Sequence, residues 1–281
     1  MYLIFMVLLS ASTLMSSPAK SSSDLGSVLM HHVTDKKEWA ILPVAKPIPV
    51  NDLRIGSLTI PVTMHVVMLL IAAGILLTVF CSAFSGKKTL PGKLGMALEP
   101  ITLFVRDALV YPAMGEELGK KWLPFFFTLF FFLLVSNIMG LVPLFGTATG
   151  NLSVTAALAL MVFIGVIGQG MQRNGFIGFF KNMIPKGLPL PIGIFILLIE
   201  IPGLIIRNSV LAVRLFANMI AGHFVILSLL LLILVIHPLA GLVSVPLALF
   251  IDLLELLVAV IQAVVFTMLS AIFIGMASNH H

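Results

Sequence analysis

Five long apolar stretches, at about 62–84, 122–143, 152–171, 190–236 and 242–276, constrain the fold more than any other feature of the sequence. Each has about 20 residues or more, the length that an α-helix needs to cross the hydrocarbon core of a bilayer. They are continuous and lack the two-residue alternation of strands in an outer-membrane barrel. Only 10% of the residues are charged, against about 25% in a typical soluble domain. The sequence therefore predicts an all-α, polytopic membrane protein with about five transmembrane helices.

The chain before the first stretch divides into two parts. Residues 1–17 contain a short apolar run, Tyr2–Leu9, followed by small and polar residues, which is typical of a signal peptide although a basic start is missing. An uncleaved N-terminal anchor is the alternative. Residues 18–61 are too polar to span a membrane, so we predict an extracytoplasmic segment there and a transmembrane domain over residues 62–281.

Basic residues are distributed unevenly over the connections between the stretches. The connections between stretches one and two and between stretches three and four carry Lys87, Lys88, Lys93, Arg106, Lys120, Lys121, Arg173, Lys181 and Lys186. The loops near Phe145–Gly150 and His237–Gly241 contain neither Lys nor Arg. Because basic loops stay in the cytoplasm, we predict an extracytoplasmic N-terminus and a cytoplasmic C-terminus. The net charge of +5 thus reflects membrane topology, and no nucleic-acid partner is expected.

Two further stretches predict unusual helices. Residues Leu94–Glu117 mix apolar and charged side chains, which indicates an interfacial amphipathic helix. The fourth stretch, about 45 residues at 1.5 Å each, would run to nearly 70 Å, more than twice the hydrocarbon thickness. Two spans are the alternative, but they need a turn at 207–209, where Gly and Pro are missing. Two spans would also put the C-terminus outside, against the distribution of basic residues. We therefore predict one long tilted helix, with a possible kink near Pro202 and Gly203.

Arg214 lies near the middle of this fourth stretch. A charge at the bilayer centre costs about 2.5–3.5 kcal/mol even on the lenient insertion scale, and the side chain is too far from either surface to reach the headgroups easily. Guanidinium keeps its proton at any accessible pH. The sequence thus predicts a permanent cation that faces protein or water, and a structural salt bridge to Asp252 or Glu255 is the alternative to a functional role.

Polar residues of the last two stretches fall on helical stripes. At about 100° per residue, one arc of roughly 40° holds Glu200, Arg207, Arg214 and Asn218, and another of roughly 80° holds Asp252, Glu255 and Gln262. His223 lies nine residues after Arg214 and so on the opposite face. Ionisable side chains inside a membrane mark ion pathways and proton relays. His223 and Glu255 are accordingly predicted relay groups.

These residues also have structural alternatives. His223 and Glu255 could be a buried hydrogen-bonded pair that only joins helices, and the amides of Asn218 and Gln262 could bridge helices. Glu200 and Arg207 are nearer the helix start, so a structural or interfacial role is as consistent with the sequence as a functional one.

Two motifs in this region resemble the subunit a family of F-type ATP synthases, the membrane stator half of the proton channel. The first is the run Leu211–His223, and the second extends from Glu255 through Ile261–Phe266 to Gly275–Ser278. Weaker agreement covers Pro91–Lys93 and Asn151–Thr155. Some family members place an acid at the position of His223 and a histidine at that of Glu255. The reverse arrangement here puts any proton pathway drawn for those members in doubt.

The resemblance implies an architecture and a role. The last two helices would form a long tilted hairpin against a ring of c subunits, each with one carboxylate. Protons would enter by one aqueous half-channel and leave by a second, and Arg214, a fixed cation, would favour release of protons from ring carboxylates and block direct passage. The implied proton-path residues are Arg214, Asn218, His223, Glu255, Gln262, Glu200 and Asp252. The implied partners are the c ring, the peripheral-stalk b subunits and membrane lipid, with one copy of the chain per complex.

Other function classes have less support. A cation/proton antiporter would also carry charges at mid-membrane, but it predicts inverted repeats and broken helices in both halves, and neither is evident. The sequence contains no HExxH pair and no Walker loop, so we expect no active site for ATP on this chain, no cofactor and no metal. The choice between protons and sodium depends on the ring subunit and stays open.

Overall fold

The structure is a computed structural model that describes residues 38–39, 48–49, 53–55, 58–60, 64–84, 92–141, 148–182, 190–235 and 241–278. The signal-like segment 1–17, most of segment 18–61 and the loop at 237–240 lie outside the described residues. Two short antiparallel pairs occur within 18–61. Strand β1 (Glu38–Trp39) pairs with β2 (Ile48–Pro49), and β3 (Leu53–Ile55) pairs with β4 (Leu58–Ile60).

All other regular elements in the described part are helical. They are α1 (Met64–Phe84), α2 (Lys93–Phe104), a π-helical segment (Val105–Val110), α3 (Tyr111–Met114), α4 (Glu116–Gly140), a 3-10 turn (Ala148–Gly150), α5 (Leu152–Asn182), α6 (Leu190–Val235) and α7 (Gly241–Ser278). Five of these helices, α1, α4, α5, α6 and α7, are long and apolar enough to cross a membrane. The predicted all-α, polytopic membrane fold is confirmed.

Helix α4 begins earlier than its apolar stretch. We expected the second span from about residue 122, and the helix starts at Glu116. Gly115 has φ +77°, a conformation that favours glycine, and this turn separates α3 from α4. Glu116 and Glu117 then occupy the first turn, where acidic side chains interact favourably with the helix dipole. Lys120 and Lys121, which the sequence places in the connection between the first two spans, therefore belong to α4.

The fourth apolar stretch forms a single helix, as predicted. Helix α6 has 46 residues and is about 69 Å long at 1.5 Å per residue. Pro202 lies inside it. The tilt of this helix in the membrane, which its length predicts, stays a prediction. The kink predicted near Pro202 and Gly203 stays a prediction. Helix α5 is interrupted near its end, because Gly175 has φ +72°.

The segment between the first two spans is helical, as the amphipathic pattern predicted. Arg106 donates hydrogen bonds of 2.7 and 3.0 Å to the two carboxylate oxygens of Asp107, and its guanidinium lies 5.9 Å from the Tyr111 ring centroid. The hydrogen bonds from Arg106 lower the pKa of the Asp107 carboxyl. The location of this segment at the membrane surface stays a prediction.

The chain divides into two compact units. Unit 1 comprises the described residues within Met1–Ile75, Leu134–Asn151 and Phe216–Ile261, and unit 2 those within Leu76–Leu133, Leu152–Leu215 and Gln262–His281. Large apolar side chains are buried in both units. They are Met68, Met219 and Ile226 in unit 1, and Phe126, Leu133, Val162, Leu211, Leu215, Phe266 and Ile274 in unit 2.

Candidate proton-path site

Arg214 lies near the midpoint of α6 with its side chain exposed. The adjacent Leu211 and Leu215 are each 1% exposed, so they anchor this part of the helix in the interior of unit 2 and direct Arg214 outward. Among the described residues of unit 2, Arg214 takes part in no ion pair.

Apolar residues border Arg214 on one side of the exposed surface of α6, while Arg207 and Ser209 are also exposed on this part of the helix. Ile206, Val210 and Val213 of unit 2 are exposed at helical spacing. Since a guanidinium is unfavourable toward lipid, this face is better suited to contact another polar or charged surface at Arg214 than to face acyl chains alone.

Glu255 on α7 lies in the interior of unit 1. The residue is 6% exposed, and neither carboxylate oxygen accepts a hydrogen bond from a described residue. The hydrogen bond to His223 that would make these residues a structural pair is therefore not formed. A carboxylate buried in this way is costly unless it is neutral, paired or reached by water.

Gly222 on α6 allows the close approach of Glu255. A methyl group built on Gly222 would lie 2.7 Å from Oε2 of Glu255 and would also overlap Oε1 and the carboxyl carbon. Only glycine leaves room for a carboxyl group against the helix backbone here. The acid of α7 thus packs against α6 at the residue that precedes His223 in the chain.

Further polar side chains of unit 1 are buried without a full set of partners. Asn137 on α4 donates to the Ala259 carbonyl oxygen at 3.2 Å. Its Oδ1 has no hydrogen-bond partner among the described residues, and the same holds for Ser136 Oγ, Thr149 Oγ1 and Asp252 Oδ1. Leaving a buried polar atom unsatisfied costs about 1–3 kcal/mol. Ordered water would satisfy such a set of atoms if the region has room for it.

The sequence did not single out Ser136, Asn137 or Thr149. The usable signal was the Ser136–Asn137 pair, which interrupts an otherwise apolar span. Hydropathy averaging hides two polar residues in such a span, because most of the window remains apolar. Their significance depends on burial, which requires the packed structure.

In unit 2, the predicted polar stripe brings Glu200 and Arg207 together. Arg207 Nη2 donates to Glu200 Oε1 at 2.8 Å, and both side chains are partly exposed. The pair lines a small cavity of about 50 Å³ together with Asn208, whose Oδ1 is buried without a hydrogen-bond partner in the described structure. The predicted proximity of these two residues is confirmed, while their role stays open.

The other predicted residues lie on the same two helices. Asn218 and His223 are half-buried on α6, and Asp252 is half-buried on α7. Gln262 on α7 is 5% exposed, and its Nε2 has no hydrogen-bond partner among the described residues. Asn218, His223, Asp252 and Glu255 belong to unit 1, whereas Glu200, Arg214 and Gln262 belong to unit 2.

Comparison with known proteins identifies the family. The profile of the family described as "ATP synthase A chain" matches residues 66–275. "ATP synthase subunit a" of Anaeromyxobacter dehalogenans strain 2CP-C is 40% identical over 279 residues, covering 92% of this chain and 71% of the relative. "ATP synthase subunit a" of Myxococcus xanthus strain DK1622 is 44% identical over 232 residues, covering 80% and 76%. "ATP synthase subunit a 2" of Prosthecochloris aestuarii is 40% identical over 262 residues, covering 91% and 80%. The chain is therefore a multi-pass membrane protein that belongs to the ATP synthase A chain family.

Proposed function

We propose that the chain is the stator subunit of the membrane sector of an F-type ATP synthase, in which it couples proton flow to rotation of a c ring. The observation that carries the proposal is Arg214, an exposed permanent cation at the middle of a membrane-spanning helix with an apolar face. A fixed cation favours the ionised form of a carboxylic acid beside it. A ring carboxylate that arrives opposite Arg214 would therefore release its proton.

The same charge separates two proton paths. A cation repels a proton that approaches it, and guanidinium cannot carry the proton itself. Protons would therefore pass between the two half-channels only on the ring. This separation requires a charge that is present at every pH, which an ammonium group with an adjustable pKa does not guarantee.

We assign the two paths to the polar groups of the two units. In unit 1, Glu255, Asp252, His223 and Asn218 accompany the buried polar atoms of Ser136 and Asn137. In this unit, α4 and α6 end and α7 begins beside the connections without Lys or Arg. This supports a path that opens on the extracytoplasmic side. Glu200 and Gln262 of unit 2 would serve the second path toward the cytoplasm.

The proposal includes partners and location. One copy of the chain would assemble with the c ring and with the peripheral-stalk b subunits in a bacterial plasma (inner) membrane. Its N-terminus would be extracytoplasmic and its C-terminus cytoplasmic. The exposed apolar residues beside Arg214 support a ring contact, because a partner that covers them removes apolar surface and a cation from lipid together. ATP would be made and hydrolysed on other subunits of the complex.

The first test replaces Arg214 in the assembled complex. We expect Arg214→Gln to abolish both ATP-driven proton pumping and proton-driven ATP synthesis in inverted membrane vesicles. Arg214→Lys should fail to restore tight coupling. Ser209→Ala, an exposed position on the same helix, is the matched control. Retained synthesis in Arg214→Gln, in a complex that still contains the ring, would refute the proposed role.

The second test examines water access in unit 1. Cys81 is exposed and is first replaced by Ser. We expect Ser136→Cys to react with a charged, membrane-impermeant methanethiosulfonate reagent added from the extracytoplasmic side. The control is Ala72→Cys, because Ala72 is 0% exposed on an apolar helix of the same unit. Equal protection of both cysteines would contradict an aqueous path at Ser136.

A further inference from the structure

A cavity of about 520 Å³ opens in unit 2 beside the ends of three membrane-spanning helices. Its wall includes Glu117 and Lys121 from the start of α4, Arg173 from the segment of α5 before Gly175, and Ser278 at the end of α7. This volume lies within the range of small-ligand sites, about 300–1,000 Å³. None of the proton-path residues proposed above lines it.

Buried polar groups hold part of this wall in place. Arg173 Nη1 donates to Ser278 Oγ at 2.9 Å, and Ser278 is 2% exposed. The amide of Gln169, a second lining residue, is mostly buried, and its Oε1 accepts a hydrogen bond of 2.9 Å from Trp122 Nε1. One nitrogen of Arg173 is thus fixed, while the rest of the guanidinium fork can bind a ligand.

The cavity presents charges of both signs. Glu116 is within 3.8 Å of Lys120, but Glu117 and Lys121 take part in no ion pair with a described residue. A simple anion would be attracted by Arg173 and Lys121 and repelled by the two glutamates. A simple cation would be attracted by the glutamates and repelled by Arg173 and Lys121. A ligand that carries an anion and a cation a few bonds apart satisfies both sets.

The position of the cavity indicates what such a ligand is. The apolar span of α4 begins at Glu116, and that of α7 ends at Ser278. The cavity is therefore at the level where lipid headgroups meet water. Helix α2, which precedes this region in the chain, exposes Leu94, Met96 and Phe104, as expected of a segment in contact with the bilayer surface. Arginine binds phosphate through a planar fork, and a carboxylate binds a primary ammonium.

We propose that this cavity binds the headgroup of a phospholipid in which a phosphodiester is joined to a primary ammonium, as in phosphatidylethanolamine. Arg173 and Lys121 bind the phosphodiester, and Glu117 binds the ammonium. The site would retain a lipid at the cytoplasmic end of α4, α5 and α7.

The test uses the intact, purified ATP synthase complex. A photoactivatable phosphatidylethanolamine with its reactive group next to the headgroup is incorporated, and labelled peptides are mapped by mass spectrometry. We expect label in segments 114–121 and 169–173. Arg173→Gln and Glu117→Gln should each reduce labelling about tenfold, since a hydrogen bond to a charged group contributes roughly that factor or more. Lys120→Gln, on the same turn but outside the cavity wall, should label like the unchanged chain.

Competition against the unchanged complex gives a result that does not depend on variant folding. Unlabelled phosphatidylethanolamine should displace the probe, and phosphatidylcholine, whose quaternary ammonium has no N–H donor, should displace it about tenfold less well. Displacement by free glycerophosphoethanolamine equal to that by the lipid would support the same headgroup chemistry with a soluble ligand. Equal displacement by phosphatidylcholine, or by inorganic phosphate alone, would overturn the proposal.

Discussion

The close approach of Gly222 to Glu255 gives the sharpest prediction about the candidate proton path. In Gly222→Ala, the new methyl group would overlap the Glu255 carboxyl. That carboxyl is the mobile end of a side chain, so it gives way before the helix backbone does. Forcing a side chain off its rotamer costs about 0.5–1.5 kcal/mol, and alanine gains about 0.8–1.0 kcal/mol over glycine in a helix. The two effects nearly cancel, so the stability of the complex should change little.

Proton transfer should respond very differently from stability. A relay group must lie within hydrogen-bond reach of its proton donor or acceptor, and a displacement of about 1 Å can cost up to about 100-fold in rate. We therefore expect Gly222→Ala to reduce ATP-driven proton pumping about 10- to 100-fold in inverted vesicles. The thermal midpoint of the solubilised complex should stay near that of the unchanged chain.

Matched variants separate this contact from general effects of the substitution. Gly168→Ala is the control, because a methyl group there meets nothing within 4 Å, and it should pump normally. Glu255→Asp shortens the acid by one methylene and withdraws it from Gly222. The double variant should then pump no worse than Glu255→Asp alone, which is the non-additivity expected of residues in contact. Pumping by Gly222→Ala within about twofold of the Gly168→Ala control would refute the reasoning.

Three other outcomes follow from unit 2. Gly275→Ala should lower the thermal midpoint of the complex, because the added methyl would overlap the Ala113 carbonyl, a backbone group that cannot rotate away. Overpacking of this kind costs about 1–3 kcal/mol. Gly92→Ala, where the methyl meets open space, should leave the midpoint unchanged. Trp122→Phe should cost about 1 kcal/mol by removing the hydrogen bond to Gln169, and an unchanged denaturation midpoint would contradict this. Asp107→Asn should leave the thermal midpoint at pH 7 nearly unchanged, since the ion pair of Asp107 with Arg106 is exposed. Because folding lowers the pKa of Asp107, the small stabilisation from this pair is present above the ordinary carboxyl pKa and is lost as the pH falls through the lowered pKa. Thermal midpoints measured over a pH series check both statements.

The sequence predicted the features that depend on long, regular patterns. The five spans, the single helix α6 and the proximity of Glu200 and Arg207 all follow from apolar length or helical spacing, and the structure confirms them. These signals are local and extend over many residues. These predictions therefore do not depend on how the helices pack against one another.

Features that depend on one glycine or on a few paired residues were missed. Helix α4 starts at Glu116 because of the positive φ of Gly115, and the apolar pattern was weakened there by Lys120 and Lys121. The strand pairs have two or three residues each, too few for an alternation to be recognised. The contact between Gly222 and Glu255 joins two helices, so no pattern within one helix could reveal it.

Arg214 and Glu255 have exposures opposite to those expected of a structural ion pair. A charge kept only for stability inside a membrane should be buried and paired, since an unpaired buried charge costs several kcal/mol. Here the cation is exposed beside apolar residues, and the acid is buried without a hydrogen-bond partner in the described structure. Each charge is therefore energetically unfavourable in the isolated chain, and each is stabilised only when a particular group or molecule lies beside it. Arg214 needs an anionic group from a neighbouring surface, and Glu255 needs water or a transferable proton. These two requirements are consistent with the proposed subunit, in which Arg214 would favour proton release from carboxylates on a moving partner and Glu255 would exchange protons with water on a separate path.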